Sequence, residues 1–293
     1  MKDKVVPDGS RVTKQRIALL QMTAGRHPER SADTVSGAIA AARAGGAVML
    51  FTPEFSGFME RRRTGLEQLA VEEKGDGFLA RVRAVAAEHA LWVHLGSHVV
   101  RMRAGHLVNR SYLVAPTGKI VAHYDKMHMF DVDLPGGAAS RESDVFRAGN
   151  RAVVAETPLG PLGMLICYDV RFPALSQALI SNGATLLSVP AAFTAATGPP
   201  HWHLLLRARA VESGAFVVAA AQTGRHEDGR ESYGHSLVVD PWGDIVLDLG
   251  REPGLGFVDI DPARQAEVRS RIPSHLHRRR IGVVRHFPPA SRT

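Results

Sequence analysis

Apolar and polar positions along this chain fall into two alternating patterns: short unbroken apolar runs, and longer stretches in which apolar residues recur every third or fourth position. Arg16-Ile17-Ala18-Leu19-Leu20-Gln21-Met22 is the first run and predicts a buried strand. Across 31–43, Val35, Ile39 and several alanines keep helical spacing until Gly45-Gly46 interrupts it. A second strand is predicted at 47–51, then a helix over 78–90 and a strand over 91–100. Strands alternating with helices imply an α/β layer structure.

Segments at 107–115 and 119–124 flank Pro116-Thr117-Gly118, which predicts a hairpin and hence a partly antiparallel sheet. The Gly- and Asp-rich passage that follows, to Asn150, is too long for a mere connector and is assigned to the rim of a site. Further strands are predicted at 152–156, 162–166, 185–189, 216–221, 236–240, 244–247 and 256–261, with helices over 173–181 and 201–212. No low-complexity linker divides the chain. The expected organisation is an extension over 1–15, a single domain over 16–273 and a C-terminal basic arm over 274–293.

Composition narrows this picture. Of 293 residues 45% are hydrophobic, enough for a large core, and the single cysteine excludes a disulfide framework. The first ten residues lack the apolar segment of a signal peptide, and no run approaches the ~18 apolar residues of a membrane span. The expectation is therefore a cytoplasmic protein with no membrane contact. The net charge is +7, but from Arg264 onward there are eight arginines and one acid, Glu267, leaving 28 basic and 28 acidic residues before them. A neutral body with a basic tail suits a subunit contact better than a phosphate-tracking groove, so no nucleic-acid partner is expected; a nucleic-acid-binding tail is the alternative from another class.

The chemistry-bearing residues fall at strand ends, where α/β sheets build their sites. Glu54 follows the strand at 47–51, Lys126 follows the one ending at Tyr124, and Cys167 follows the one at 162–166. A lone cysteine is usually a small buried hydrophobe. A nucleophilic one needs a base and an oxyanion partner, and Glu54 and Lys126 supply those types. Lys126 beside Cys167 would favour the thiolate electrostatically.

The words around these residues, Pro53-Glu54, His123-Tyr124-Asp125-Lys126-Met127-His128-Met129-Phe130 and Cys167-Tyr168-Asp169-Val170-Arg171-Phe172-Pro173, resemble the nitrilase superfamily of carbon–nitrogen hydrolases. Arg141-Glu142-Ser143, Pro190-Ala191-Ala192-Phe193-Thr194 and Tyr233-Gly234-His235-Ser236 extend the likeness, which runs from about residue 16 to about residue 273. Within the superfamily the chain is most similar to the Nit branch. The resemblance implies an α-β-β-α sandwich that pairs with a second subunit, giving a homodimer or higher homo-oligomer. It implies Cys167 as nucleophile, Glu54 as general base and acid, Lys126 as oxyanion stabiliser and Glu142 as a second glutamate. The activity implied is hydrolysis of a small amide, with or without a carboxylate, through a thioester. N-carbamoyl amino acid hydrolysis and nitrile hydrolysis are alternatives within the same superfamily.

The backbone of Tyr168 is the expected second oxyanion donor. Arg171, with Arg207 or Arg209, is a candidate carboxylate receiver, and Phe193 and Thr194 are candidate pocket residues. The family word His-Trp-Glu reads His201-Trp202-His203 here, and Arg-Phe-Pro-Glu reads Arg171-Phe172-Pro173-Ala174. His203 is therefore expected to retune substrate choice. No metal or organic cofactor is needed for this chemistry, and His201 and His203, two apart on a helix, point about 200° apart and cannot readily share an ion.

Overall fold

The computed structural model describes residues 14–133, 139–283, 285 and 286. Nearly all of the N-terminal extension lies outside the described residues, as do Val284 and residues 287–293 of the basic arm.

Among the described residues the chain runs β1 (Gln15–Gln21), α1 (Pro28–Ala44), β2 (Met49–Phe51), α2 (Arg63–Leu69), α3 (Gly77–Glu88), β3 (Trp92–Arg101), β4 (Leu107–Val114) and β5 (Ile120–Asp125). A small hairpin follows, β6 (Asp131–Asp133) and β7 (Ala139–Arg141). The second half runs β8 (Val154–Ala155), β9 (Leu162–Met164), α4 (Pro173–Ser181), β10 (Leu186–Ser188), α5 (Gly198–Ser213) and β11 (Phe216–Ala219). It ends with β12 (Thr223–Arg225), β13 (Glu231–Tyr233), β14 (Leu237–Val239), β15 (Ile245–Asp248), β16 (Gly254–Ile260) and α6 (Pro262–Arg271).

Two six-stranded sheets result, ordered β16-β1-β2-β3-β4-β5 and β15-β14-β11-β10-β9-β8. Each has three parallel strands at its centre, β1-β2-β3 in one and β9-β10-β11 in the other, flanked by antiparallel strands. The predicted hairpin is β4–β5. The early strand β1 pairs with the late strand β16, joining the two ends of the chain in one sheet.

Alternation along the strands explains the layering. In β1, Ala18 and Leu20 pack with α1 and α3 residues such as Val35, Ile39 and Val82, whereas Ile17 and Leu19 face the second sheet. In β11, Val217 and Ala219 pack with Trp202 and Leu206 of α5, whereas Phe216 and Val218 turn inward. The order helices, sheet, sheet, helices is an α-β-β-α sandwich. Each fully buried large aliphatic side chain contributes roughly 1.5–3 kcal/mol to it. His94 of β3, fully buried, ties the sheets together: its Nε2 lies 3.2 Å from Ser111 Oγ of β4 and 3.1 Å from Ser188 Oγ of β10. Burial lowers its pKa to about 3, so it sits there neutral.

None of the helices among the described residues is long and apolar enough to cross a membrane.

Candidate active site

Glu54, Lys126 and Cys167 leave their sheets at the same end. Glu54 lies three residues beyond β2, Lys126 directly follows β5, and Cys167 lies three residues beyond β9. The chain beyond β9 turns sharply: Cys167–Arg171 is a single 3₁₀ turn, and α4 begins at Pro173. Cys167 occupies the left-handed region at φ +48°, which costs a non-glycine residue about 1–3 kcal/mol and is sustained by its surroundings. Its N–H donates to Pro190 O at 2.9 Å. Asp169, fully buried, fixes the rest of the turn by accepting from Ile166 N–H (2.9 Å), Tyr124 OH (2.7 Å) and His128 N–H (3.1 Å).

Close approach also depends on glycine. A Cβ at Gly96 would stand 2.0 Å from Thr52 O and 2.6 Å from Pro53 O, so only glycine lets β3 pass beneath the segment that carries Glu54.

The three residues meet with Glu142 from the 3₁₀ turn Glu142–Asp144. Lys126 Nζ donates to Glu54 Oε1 at 2.9 Å and to Glu142 Oε1 and Oε2 at 2.9 and 2.8 Å. The remaining acceptor capacity is used as well. Glu54 Oε1 accepts from Asn109 Nδ2 at 2.9 Å and Oε2 from Ala192 N–H at 2.8 Å, while Glu142 Oε2 accepts from Phe130 N–H at 2.7 Å. Lys126 and Glu54 are each only 2% exposed, a burial that ionised groups sustain only when fully paired.

Two carboxylates against one ammonium decide the electrostatics. Burial pushes Lys126 toward its neutral form, but Glu142 and Glu54 outweigh it and raise its pKa well above the ordinary range. Burial raises the Cys167 thiol, Glu54 raises it further, and Lys126 opposes both without overcoming them. At rest Cys167 is therefore a thiol. Lys126 does favour the thiolate, the direction expected of its charge, but burial and Glu54 outweigh it.

Cys167, Glu54, Lys126 and Glu142 line a cavity of about 520 Å³. Tyr168, Phe193 and Thr194 line it too. Three arginines, Arg61, Arg141 and Arg230, also reach it. Arg141 pairs with Asp133 and Arg230 with Asp228, whereas exposed Arg61 has no ion-pair or hydrogen-bond partner among the described residues.

Other expected residues lie elsewhere. Arg171 is not in the cavity lining; its guanidinium hydrogen-bonds His201 at 3.2 Å and packs over the Tyr168 and Phe193 rings. Arg207 donates to Gly243 O, and Arg209 pairs with Glu212. His203 is outside the lining as well, with Nε2 3.0 Å from Asp248 Oδ2, so direct retuning of the pocket by this side chain does not follow from its position. The sequence reading missed Asn109 and the N–H groups of Ala192 and Phe130. Asn109, a polar residue inside a buried strand, was a signal in plain view; backbone donors leave none.

A sequence model of the carbon–nitrogen hydrolases matches residues 16–270. The chain belongs to the carbon–nitrogen hydrolase family. This makes it an enzyme, an amidase carrying the glutamate, lysine and cysteine described above. It is 39% identical over 269 residues to deaminated glutathione amidase of Rattus norvegicus, covering 90% of this chain and 82% of that protein. Among solved structures, the NitFhit protein of C. elegans superposes with a TM-score of 0.85 at 38% identity, covering 91% of this hydrolase and 65% of that chain. A glutamate-to-glutamine variant of the amidase from Nesterenkonia sp. AN1, bearing acrylamide added at its active-site cysteine, superposes with a TM-score of 0.74 at 29% identity, covering 89% of this chain and 99% of that one.

Proposed function

We propose that this hydrolase cleaves the C–N bond of a small, carboxylate-bearing amide, giving the acid and ammonia through a thioester on Cys167. The observation that carries the reading is the contact of Glu54, Lys126 and Glu142 in a cavity also lined by a buried thiol and by arginines.

In the first step Cys167 passes its proton to Glu54 as its sulfur bonds to the amide carbon. The carbonyl oxygen gains charge facing the Lys126 ammonium and the Tyr168 N–H at the start of the 3₁₀ turn, donors fixed before the reaction begins. Collapse breaks the C–N bond, and the proton on Glu54 goes to the leaving nitrogen, which departs as ammonia. Water then attacks the thioester, its proton is taken by Glu54, and breaking the C–S bond returns that proton to the cysteine sulfur. Glu142 holds Lys126 in place. Every proton is accounted for by the protein, water and substrate.

Arg61, Arg141 and Arg230 support a substrate with one or more carboxylates, since guanidinium matches that group in two parallel hydrogen bonds. The relative named deaminated glutathione amidase fits such a substrate class. The reading further places the enzyme in the cytoplasm, a reducing compartment that suits its single unpaired cysteine, and makes it a homodimer or higher homo-oligomer.

Ammonia release from matched amides with and without a distal carboxylate tests the proposal. Carboxylate-bearing amides are expected to be preferred, with Arg61→Gln raising KM for them alone by about tenfold. A preference for neutral amides, for carbamoyl compounds or for nitriles overturns it.

A further inference from the structure

We propose that His203, His235 and Asp248 form a binding site for a divalent transition-metal ion, zinc foremost, separate from the active-site cavity. The three come from different parts of the fold: His203 from α5, His235 from the turn before β14, and Asp248 from the end of β15. His203 Nε2 lies 3.0 Å from Asp248 Oδ2, and His235 Nδ1 lies 2.9 Å from Oδ1 and 3.2 Å from Oδ2. One ligand atom from each residue lies within 4.8 Å of the others. Zinc takes imidazole nitrogen and carboxylate oxygen at about 2.0–2.2 Å, which sets ligand atoms roughly 3.3 Å apart around a tetrahedron. Small side-chain movements convert the observed contacts into that arrangement.

The donors are held in place by the protein. His235 adopts φ +55°, a conformation unfavourable for a non-glycine residue, and its backbone is gripped on both sides. Its N–H donates to Gly250 O at 2.6 Å, its carbonyl accepts from Trp202 Nε1 at 2.8 Å, and its ring stacks on Tyr233 at 4.4 Å. Asp248 Oδ1 also accepts from Gly250 N–H at 2.9 Å, an outer contact of the kind that orients metal-bound carboxylates. His203 and His235 are partly exposed and Asp248 is exposed, which leaves room for water as a fourth ligand.

His201, two residues before His203 on α5, turns to Arg171 and takes no part in this group. The partners of His203 come instead from distant sequence. A bound ion would clamp α5 to the β14–β15 hairpin. It carries no step of the hydrolysis proposed above, and its role is to stiffen the fold.

The test uses full-length protein carrying Cys167→Ala, so that the active-site thiol cannot hold zinc, after treatment with and removal of EDTA. Titration with Zn²⁺ is expected to show one ion bound at micromolar Kd or tighter, and a Tm raised by about 5 °C at a hundredfold excess over Kd. Adding His203→Gln or Asp248→Asn should weaken binding by more than about 100-fold, while circular dichroism without metal matches the parent. If one of these variants fails to fold, His235→Gln replaces it. Cobalt should give the visible absorption of a tetrahedral site in the parent, and lose it in the variants. Failure to bind zinc in the parent, or stoichiometry and Kd unchanged in the folded variants, overturns the proposal.

Discussion

Lys126 Nζ lies 2.9 and 2.8 Å from the two carboxylate oxygens of Glu142, so one acid holds the ammonium with both its oxygens while Glu54 takes it at 2.9 Å. The ammonium needs its direction as much as its charge, because a donor displaced by an ångström no longer meets the developing oxyanion. Glu142→Gln keeps an acceptor but removes the charge and one of the two equivalent oxygens. Steady-state kinetics should show kcat down by about 100-fold with KM within about threefold of wild type. A kcat near wild type would show that Glu54 alone positions Lys126.

Cys167 is the only thiol in the chain and faces the cavity, so alkylation should place one label on it and end turnover, and Cys167→Ala should be inactive. Because the thiol is protonated at rest, acylation depends on the base beside it. Glu54→Gln is expected to slow thioester formation by more than about 100-fold, followed by mass spectrometry of Cys167. Thioester forming as fast as in wild type would remove Glu54 from the first proton transfer.

The same raised pKa fixes the sign of a stability effect. Folded Cys167 keeps its proton above the ordinary value near 9, at which the unfolded chain releases it, so over that interval the native state binds more protons than the unfolded state. Its contribution is fully present below pH 9 and is lost as pH rises toward the folded pKa, by about 1.4 kcal/mol per pH unit. Lys126 and Tyr124, both raised, act in the same direction at still higher pH. Urea midpoints for Cys167→Ala should fall less steeply between pH 9 and 10 than those of wild type. Parallel slopes would place the folded thiol at its ordinary value.

Strand and helix order was legible because each buried strand is a continuous apolar run and each outer helix carries a one-sided stripe, as in β2 beside α1. Glu54, Lys126 and Cys167 were legible because they sit where such runs stop. The hairpins β6–β7 and β12–β13 were not, since three-residue strands bury too little to leave a pattern. Arg171 and His203 misled for one reason: sequence proximity to a site word says nothing about which way a side chain leaves its turn or helix. The resting state of Cys167 was hidden too, because it depends first on burial in the assembled fold and then on Glu54, contributed by a segment far away in sequence.

Gly96 links packing to the site. With no Cβ it lies against Thr52 O and Pro53 O, and both contacts are backbone that cannot swing aside. Gly96→Ala is expected to displace the segment holding Glu54, lowering Tm by several degrees and kcat by more than about tenfold. A variant with wild-type Tm and kcat would mean that β3 absorbs the methyl group by shifting alone.

The basic arm begins by crossing two helices: Ser274 Oγ donates to Glu212 O of α5 at 3.5 Å, and Arg278 Nη1 donates to Gln177 O and Ser181 Oγ of α4 at 2.7 and 3.0 Å. Its apolar residues are then left uncovered in the single chain, Leu276 at 74%, Ile281 at 82% and Val283 at 79% exposure, and Leu204 and Val211 of α5 are exposed as well. A tail serving only as a solvated charge has no use for such residues, whereas an arm laid on a partner subunit buries them and leaves its arginines at the rim. Truncation after Pro273 should raise the monomer fraction in sedimentation velocity and lower Tm in a concentration-dependent way, because assembly stabilises the folded chain by mass action. Added nucleic acid should not reverse either change. A truncated chain that sediments like the full one, but loses a salt-sensitive affinity for DNA or RNA, would assign the arm to nucleic acid and not to the subunit contact.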